Sequence, residues 1–408
     1  MASTEPHQPF RIRSLAISVY LPTLLFAVGQ GAVIPIIPLL ARDLGASVAL
    51  AGIIVALRGA GTMFFDVPAG TLVTRFGDRG AMLIGTVALA VVALAAAFSP
   101  SVWIYAVLVF VMGCSWSIWL LARLSYATDV SPLEHRGRVL ALVGGFNRIG
   151  NFGGPVIGGL LARYLGLEAA FYMQAVMAMA AAGVLFAFVN EPRRAEPHQE
   201  GSAYRRVGGI IRDHRAVFAT AGVVTIAIQV LRSSRQAVIP LWGEQIGLDA
   251  GDVGIIFGMS SAIDMTLFYP VGIVMDRFGR KWSAVPCLLV MSAGMLLIPL
   301  TGSFATLLFA GLVTGLGNGF GSGINMTLGS DLSPPTGRGE FLGVWRLIGD
   351  LGTVGGPAVV GGISAIGTLG VASVATGGIG LVGAAIMVFL VREPRKRAAT
   401  PEAGSGPP

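Results

Sequence analysis

Nine charged residues stand inside long apolar runs of this 408-residue chain: six arginines (Arg58, Arg123, Arg148, Arg232, Arg235, Arg346) and three aspartates (Asp66, Asp264, Asp350). A charge in an apolar membrane-type stretch costs about 2.5 kcal/mol or more on insertion scales, so each needs a reason to be there. A carboxylate can take up and release a proton, whereas arginine stays protonated and can only bind or gate. Asp264 sits mid-run with no acidic or basic neighbour on its own helix, which makes it the first choice of proton carrier, with Asp350 second. Asp66 lies four residues before Gly70 and reads equally as a proton carrier or as part of the loop that follows. Bond-making chemistry has little support. His7, His135, His198 and His214 fall in termini or loops with no pair spaced for a metal, and the lysines, Lys281 and Lys396, follow no glycine-rich phosphate loop. Cys114 and Cys287 lie in apolar runs as small hydrophobes. No cofactor, metal site or nucleotide hydrolysis is implied.

The elements that must position these charges are membrane helices. The chain is 54% hydrophobic and 12% charged, with a mean hydropathy of +0.76. Soluble domains carry about 25% charged residues, so an all-α, polytopic membrane protein in the lipid bilayer is expected. A span needs about 20 apolar residues. Twelve such runs are found, at roughly 15–40, 48–73, 81–98, 102–126, 139–165, 169–190, 215–240, 250–275, 283–300, 305–330, 340–364 and 368–391. The first is too long for a signal-peptide core and is read as a span. The sequence divides into a six-helix half (1–190), a polar linker (191–214), a second six-helix half (215–397) and an Ala-, Pro- and Gly-rich tail (398–408) expected to be disordered. The net charge of +7 is spread over short loops, which argues against nucleic acid. Arg11, Arg13, Arg75, Arg79, Arg136, Arg138, Arg277, Arg280, Lys281, Arg338, the linker arginines and the cluster from Arg392 to Arg397 all fall on one side, with Arg42 and Arg163 on the other. Both termini and the linker are therefore expected in the cytoplasm, with the chain in the inner membrane. No oligomeric state is encoded in these patterns; a monomer is the expectation.

The two halves align without a gap. Gly272 minus Gly70, Arg277 minus Arg75 and Gly279 minus Gly77 each equal 202. Asp129-Val-Ser-Pro132 matches Asp331-Leu-Ser-Pro334, and Gly150, Gly154 and Pro155 match Gly352, Gly356 and Pro357 at the same offset. Six spans is an even number, so both repeats insert in one orientation about an axis along the membrane normal. Such parallel repeats place a binding site near the midplane between the halves.

With Gly272-x-x-x-Asp276-Arg277-x-Gly279-Arg280-Lys281, the chain resembles a twelve-span major facilitator superfamily transporter, and the resemblance covers nearly its whole length. It implies that Asp276 caps a neighbouring helix and that the loop arginine, Arg277, pairs with an acid at the end of span 10, Asp331. The first-half copy (Gly70, Arg75, Gly77, with Asp129 at the end of span 4) departs from the signature: Thr74 replaces its acid and Asp78 its arginine. Gly150-x-x-x-Gly154-Pro155-x-x-Gly158-Gly159 is similar to a motif associated with drug/proton antiporters. Its partial recurrence in span 11 suits a shared packing role equally well. The arginine that family motif would place four residues before Gly113 is absent; Val109 stands there.

Positions identical in both halves are explained by architecture, so mismatched polar positions are the better functional candidates. Gln30 is matched by Arg232, Arg58 by Ser260, Asp66 by Phe268, Arg123 by Asn325, Arg148 by Asp350 and Asp264 by Thr62. Arg148 and Asp350 are expected to face each other near the midplane; alternatively Arg346 and Asp350, at i and i+4, satisfy each other on one helix. Gln229, Arg232 and Gln236 share one face of span 7, and Trp116, Trp119 and Arg123 one face of span 4. With Asn151 and Asn318, these residues form the expected substrate cavity. Aromatics beside a cation suit a flat, partly apolar substrate, with or without an anionic group, or packing against neighbouring spans. The expected function is proton-coupled secondary transport by alternating access, exporting a small amphiphilic or drug-like compound. The alternatives are uptake of an organic anion, and a receptor without transport activity.

Overall fold

The computed structural model describes residues 15–189 and 203–391, and among them every regular element is helical. Ten helices are long and apolar enough to cross a membrane. The longest, Val48–Ala97, is two spans that meet at Gly77, where a left-handed backbone (φ 78°, ψ 171°) turns the chain. Leu133–Leu165 adds the remaining crossing; its first turns carry Glu134, Arg136 and Arg138, yet it packs lengthwise on its neighbours. Span 1 is Ala16–Val33, continued by Ile36–Asp43, and spans 2 and 3 are the two parts of Val48–Ala97. Spans 4, 5 and 6 are Val102–Asp129, Leu133–Leu165 and Glu168–Phe188. In the second half, span 7 is Arg215–Gln245, span 8 Ala250–Phe278, span 9 Lys281–Leu300 and span 10 Phe304–Leu332, followed by span 11 Arg338–Ile366 and span 12 Leu369–Phe389.

The repeat read from the sequence is a repeat in space. Within the halves, span 1 packs on span 5 as span 7 does on span 11, and span 2 on span 4 as span 8 on span 10. Between the halves, span 5 lies along span 8 and span 11 along span 2. The loops repeat as well: Gly77 and Gly279 (φ 78° and 104°) turn one face, and Gly45 and Gly247 (φ 88° and 83°) turn the other. The first of these is called the basic face below and the second the far face. Several spans that start at the far face are capped by a side-chain oxygen: Ser47, Ser101, Asp249, Ser303 and Thr368 each accept a backbone N–H three residues on. Val91, Phe186, Leu289 and Val382 on spans 3, 6, 9 and 12 are exposed apolar side chains, as a lipid-facing shell requires.

Two spans expected to be continuous are broken. Span 1 is interrupted before Ile36, where Pro35 has no N–H to continue the ladder. Span 10 stops at Phe320 and restarts at Ile324, with Gly323 in the left-handed region (φ 77°). Of the expected linker, residues 203–213 form a short helix whose Ile210 side chain meets Gly337 beside span 11. Residues 190–202 and the expected tail lie outside the described residues, as do Arg11, Arg13 and the cluster from Arg392 to Arg397.

Candidate functional site

Glycine lets the two halves touch. A Cβ on Gly159 of span 5 would lie 2.6 Å from the Ala250 carbonyl oxygen and 2.8 Å from Gly254 Cα of span 8. The matched seam repeats this, with a Cβ on Gly52 of span 2 only 2.9 Å from Gly361 Cα of span 11. The rest of the antiporter-like motif faces span 1: Gly150, Gly154 and Gly158 lie against Ala27, Val28 and Ala32, and the Pro155 ring against Gly31. Gly352 and Gly356 pack on span 7 in the same way. In this conformation the motif is a helix-packing seam in both halves, and Gly159 extends it across the interface.

Around these seams the intramembrane charges form two ion pairs between the halves. Arg148 of span 5 donates from Nη1 to Asp264 Oδ2 of span 8 at 2.7 Å, with the two side chains 21% and 14% exposed. Its Nη2 donates to Ser322 Oγ at 3.2 Å, and that hydroxyl donates to Asp264 Oδ1 at 3.4 Å. The guanidinium lies over the Phe268 ring, 4.5 Å from its centroid. The second pair joins span 11 to span 2: Arg346 donates to both Asp66 oxygens at 2.9 and 3.0 Å, and Ser117 of span 4 also donates to Asp66. Arg346 is also 4.0 Å from Asp350, one turn along its own helix.

This pairing corrects two expectations. Arg148 does not meet Asp350, because Asp264 reaches it from the span packed directly against span 5. Arg346 keeps its i, i+4 contact with Asp350 at 4.0 Å, but its planar fork fits both oxygens of Asp66 across the interface more closely. The repeat offset carries Arg148 to Asp350 and Asp264 to Thr62, so the second pair occupies the matched seam one helical turn nearer the basic face, at Arg346 and Asp66.

The remaining arginines meet neutral groups. Arg58 donates from Nη2 to Gln30 Oε1. Arg123, 9% exposed, lies 4.2 Å from the centroid of Trp119, which stacks on Phe26 at 3.8 Å beside half-buried Trp116. Arg232 donates to Gln229 Oε1 at 3.3 Å and to the Gly321 carbonyl at 2.7 Å, and Arg235 donates to Ser260 at 3.2 Å. Gln229 also accepts from Asn325 and donates to Thr353 of span 11. Asn151 donates to Asn147 one turn earlier, and Gln236 and Asn318 are half-buried on spans 7 and 10. Sequence reasoning did not place Arg235 among the cavity residues, and it missed the break in span 10, which frees the Gly321 carbonyl and places Ser322. The available signal was the run Gly319-Phe-Gly321-Ser322-Gly323.

On the basic face the loop bonds also follow the repeat, with one reassignment. Arg280, not the expected Arg277, pairs with Asp331 at 2.7 Å and donates to the Met275 carbonyl at 2.7 Å. Asp276 approaches Arg280 at 3.6 Å, while Arg277 is exposed. The turn at Gly279 aims the residue after it, rather than the one before, at the end of span 10. Lys281 donates to the Val388 carbonyl at 2.8 Å, and Arg79 to the matched Phe186 carbonyl at 2.7 Å. In the first half buried Asp78 stands where Arg280 does and Asp129 where Asp331 does, and two acids cannot form that ion pair with each other. Arg75 lies over its neighbour Phe76, 5.4 Å from the ring centroid, and Gly70 faces Leu121. On the far face Arg42 pairs with Glu244, its own repeat-related position, at 3.1 Å, and Arg163 with Asp249 at 3.2 Å.

Comparison with known proteins follows the same two-part organisation. The family model described as Major Facilitator Superfamily matches residues 19–235 and again 222–408. The multidrug resistance protein MdtL of Klebsiella pneumoniae strain 342 is 23% identical over 295 residues, covering 72% of this chain and 75% of that protein. MdtL of Shewanella sp. strain ANA-3 is 26% identical over 310 residues, covering 73% and 76%. Among solved structures, a D-xylose–proton symporter superposes with a TM-score of 0.73 at 17% identity, covering 94% of this chain and 99% of that one. The chain belongs to the major facilitator superfamily and is a multi-pass membrane transporter rather than an enzyme.

Proposed function

We propose that the chain is a proton-coupled secondary transporter that works by alternating access and exports small amphiphilic compounds. The observation that carries this reading is the Arg148–Asp264 pair, which joins the halves at 2.7 Å within the membrane region. Protonation of Asp264 removes its charge and its hold on Arg148, so one proton changes the attraction between the two bodies that must separate. The names of the two MdtL relatives favour export. In this reading the basic face is cytoplasmic, residues 1–190 and 215–397 move as the two halves, and 191–214 links them. At the far face the halves are joined by Arg42–Glu244, Arg163–Asp249 and the glycine seams.

Transport in proteoliposomes with and without an imposed pH gradient tests the proposal. The gradient is expected to drive accumulation at least tenfold faster in the unaltered protein, and Asp264→Asn to abolish that difference. Asp350→Asn is expected to weaken it. A flux indifferent to the gradient, and equal in Asp264→Asn, would sink proton coupling.

A further inference from the structure

The intramembrane charges do not balance. Asp264 pairs with Arg148, and Asp66 and Asp350 share Arg346, which leaves Arg58, Arg123, Arg232 and Arg235 with no carboxylate within 4 Å among the described residues. Each keeps buried donor capacity that meets no acceptor: Arg58 Nε, Arg123 Nε and Nη1, Arg232 Nε and Arg235 Nε, with Gln30 Nε2 beside them. A protein that only needed charges to pair would not hold four extra cations in a region that penalises each of them.

Their placement follows the repeat. Gln30 corresponds to Arg232 and Arg58 to Ser260. On the seam between spans 1 and 2, Gln30 accepts from Arg58; on the matched seam between spans 7 and 8, Ser260 accepts from Arg235 while Arg232 fills the place of Gln30. The arginine has changed helix, but each half carries a cation at the repeat-matched depth. Arg232 is held in place by the Gly321 carbonyl exposed at the break in span 10. Half-buried Trp116 lies about a turn nearer the basic face, beside Phe26. Arg123 is deeper still toward that face, since Ser117 is level with Asp66 and Leu121 with Gly70.

We infer that the transported compound carries an anionic group, a carboxylate, sulfonate or phosphate monoester, held between Arg58 with Gln30 and Arg232 with Arg235, its apolar body against Trp116. This rests on the transport reading and names its substrate class. Arginine supplies the planar donor fork such groups require, and a cationic ligand would meet repulsion from both halves. Of these four cations Arg123 lies nearest the basic face.

Binding to the purified full-length protein in detergent tests this without any gradient, so it stands or falls apart from proton coupling. The probes are naphthoate and naphthalenesulfonate, with naphthamide as the neutral match and naphthylmethylammonium as the cationic one, read by quenching of tryptophan fluorescence. The anions are expected to bind at least tenfold tighter than naphthamide, and Arg58→Gln and Arg232→Gln each to remove most of that preference by weakening the anions far more than naphthamide. Arg58→Lys and Arg232→Lys are expected to restore part of it, which separates loss of charge from loss of fold. The inference is overturned if naphthamide or the ammonium binds as tightly as the anions, if no anion binds, or if the Gln variants keep the preference.

Discussion

Arg346 contacts both oxygens of Asp66 at 2.9 and 3.0 Å and reaches Asp350 at only 4.0 Å. One guanidinium therefore stands between two carboxylates, one from each half. The side chain of Arg346 is 40% exposed, which weakens both interactions, but two well-aligned contacts outweigh a single contact at the limit of reach. A double-mutant cycle on thermal unfolding in detergent is expected to give a coupling of about 1 kcal/mol for Arg346 with Asp66. For Arg346 with Asp350 about 0.3 kcal/mol is expected, the usual size of an i, i+4 pair. Equal couplings would return Arg346 to its own helix. Spacing offered the local pair as an alternative, because i and i+4 are the neighbours a sequence displays, and which carboxylate arrives from another span depends on how the helices pack. The same limit explains Arg277: type and offset were read correctly, but the turn at Gly279 brings Arg280 to Asp331.

At the scale of helices, hydropathy and the repeat located the spans closely, because membrane helices must be long and apolar and their loops carry the charges. What they could not show is where a span is interrupted. Glycine is common in membrane helices, so Gly319 to Gly323 reads as one more small-residue run. The break depends on Gly323 at φ 77°, and the nearest atom to a Cβ there is Met275 Cε at 3.9 Å. Gly323→Ala would therefore meet no crowding, and its cost is that of the left-handed backbone, about 1–2 kcal/mol. Thermal unfolding should show that loss, and Gly323→Asn should recover part of it, since Asn tolerates this conformation better. Because the break positions Ser322 against Arg148 and the Gly321 carbonyl against Arg232, Gly323→Ala should also slow transport more than its stability loss explains. Alanine at no cost would mean that the break is held by packing rather than by glycine.

Across the whole molecule, two kinds of contact join the halves at the far face, and their magnitudes decide which one controls the conformation. Arg42 and Glu244 are 32% and 36% exposed, and such partly solvated pairs contribute about 0–1 kcal/mol. The glycine seams allow no such latitude. A side chain on Gly159 would press on the Ala250 carbonyl and Gly254 Cα, which are backbone atoms that move only if span 8 moves. Overpacking at such a site costs about 1–3 kcal/mol, and separating the halves at that end relieves it. Gly159→Val should therefore shift the population toward states open at the far face, whereas Arg42→Ala should shift it little. The readout is a Gln30→Cys reporter, 3% exposed in the present conformation, in a background with Cys114 and Cys287 replaced by alanine. Its labelling by a membrane-impermeant thiol reagent at the far face should accelerate severalfold with Gly159→Val and by less than twofold with Arg42→Ala. The opposite order would make the salt bridge the gate, and the glycines, identical at this offset in their matched seam, merely the surface on which it closes.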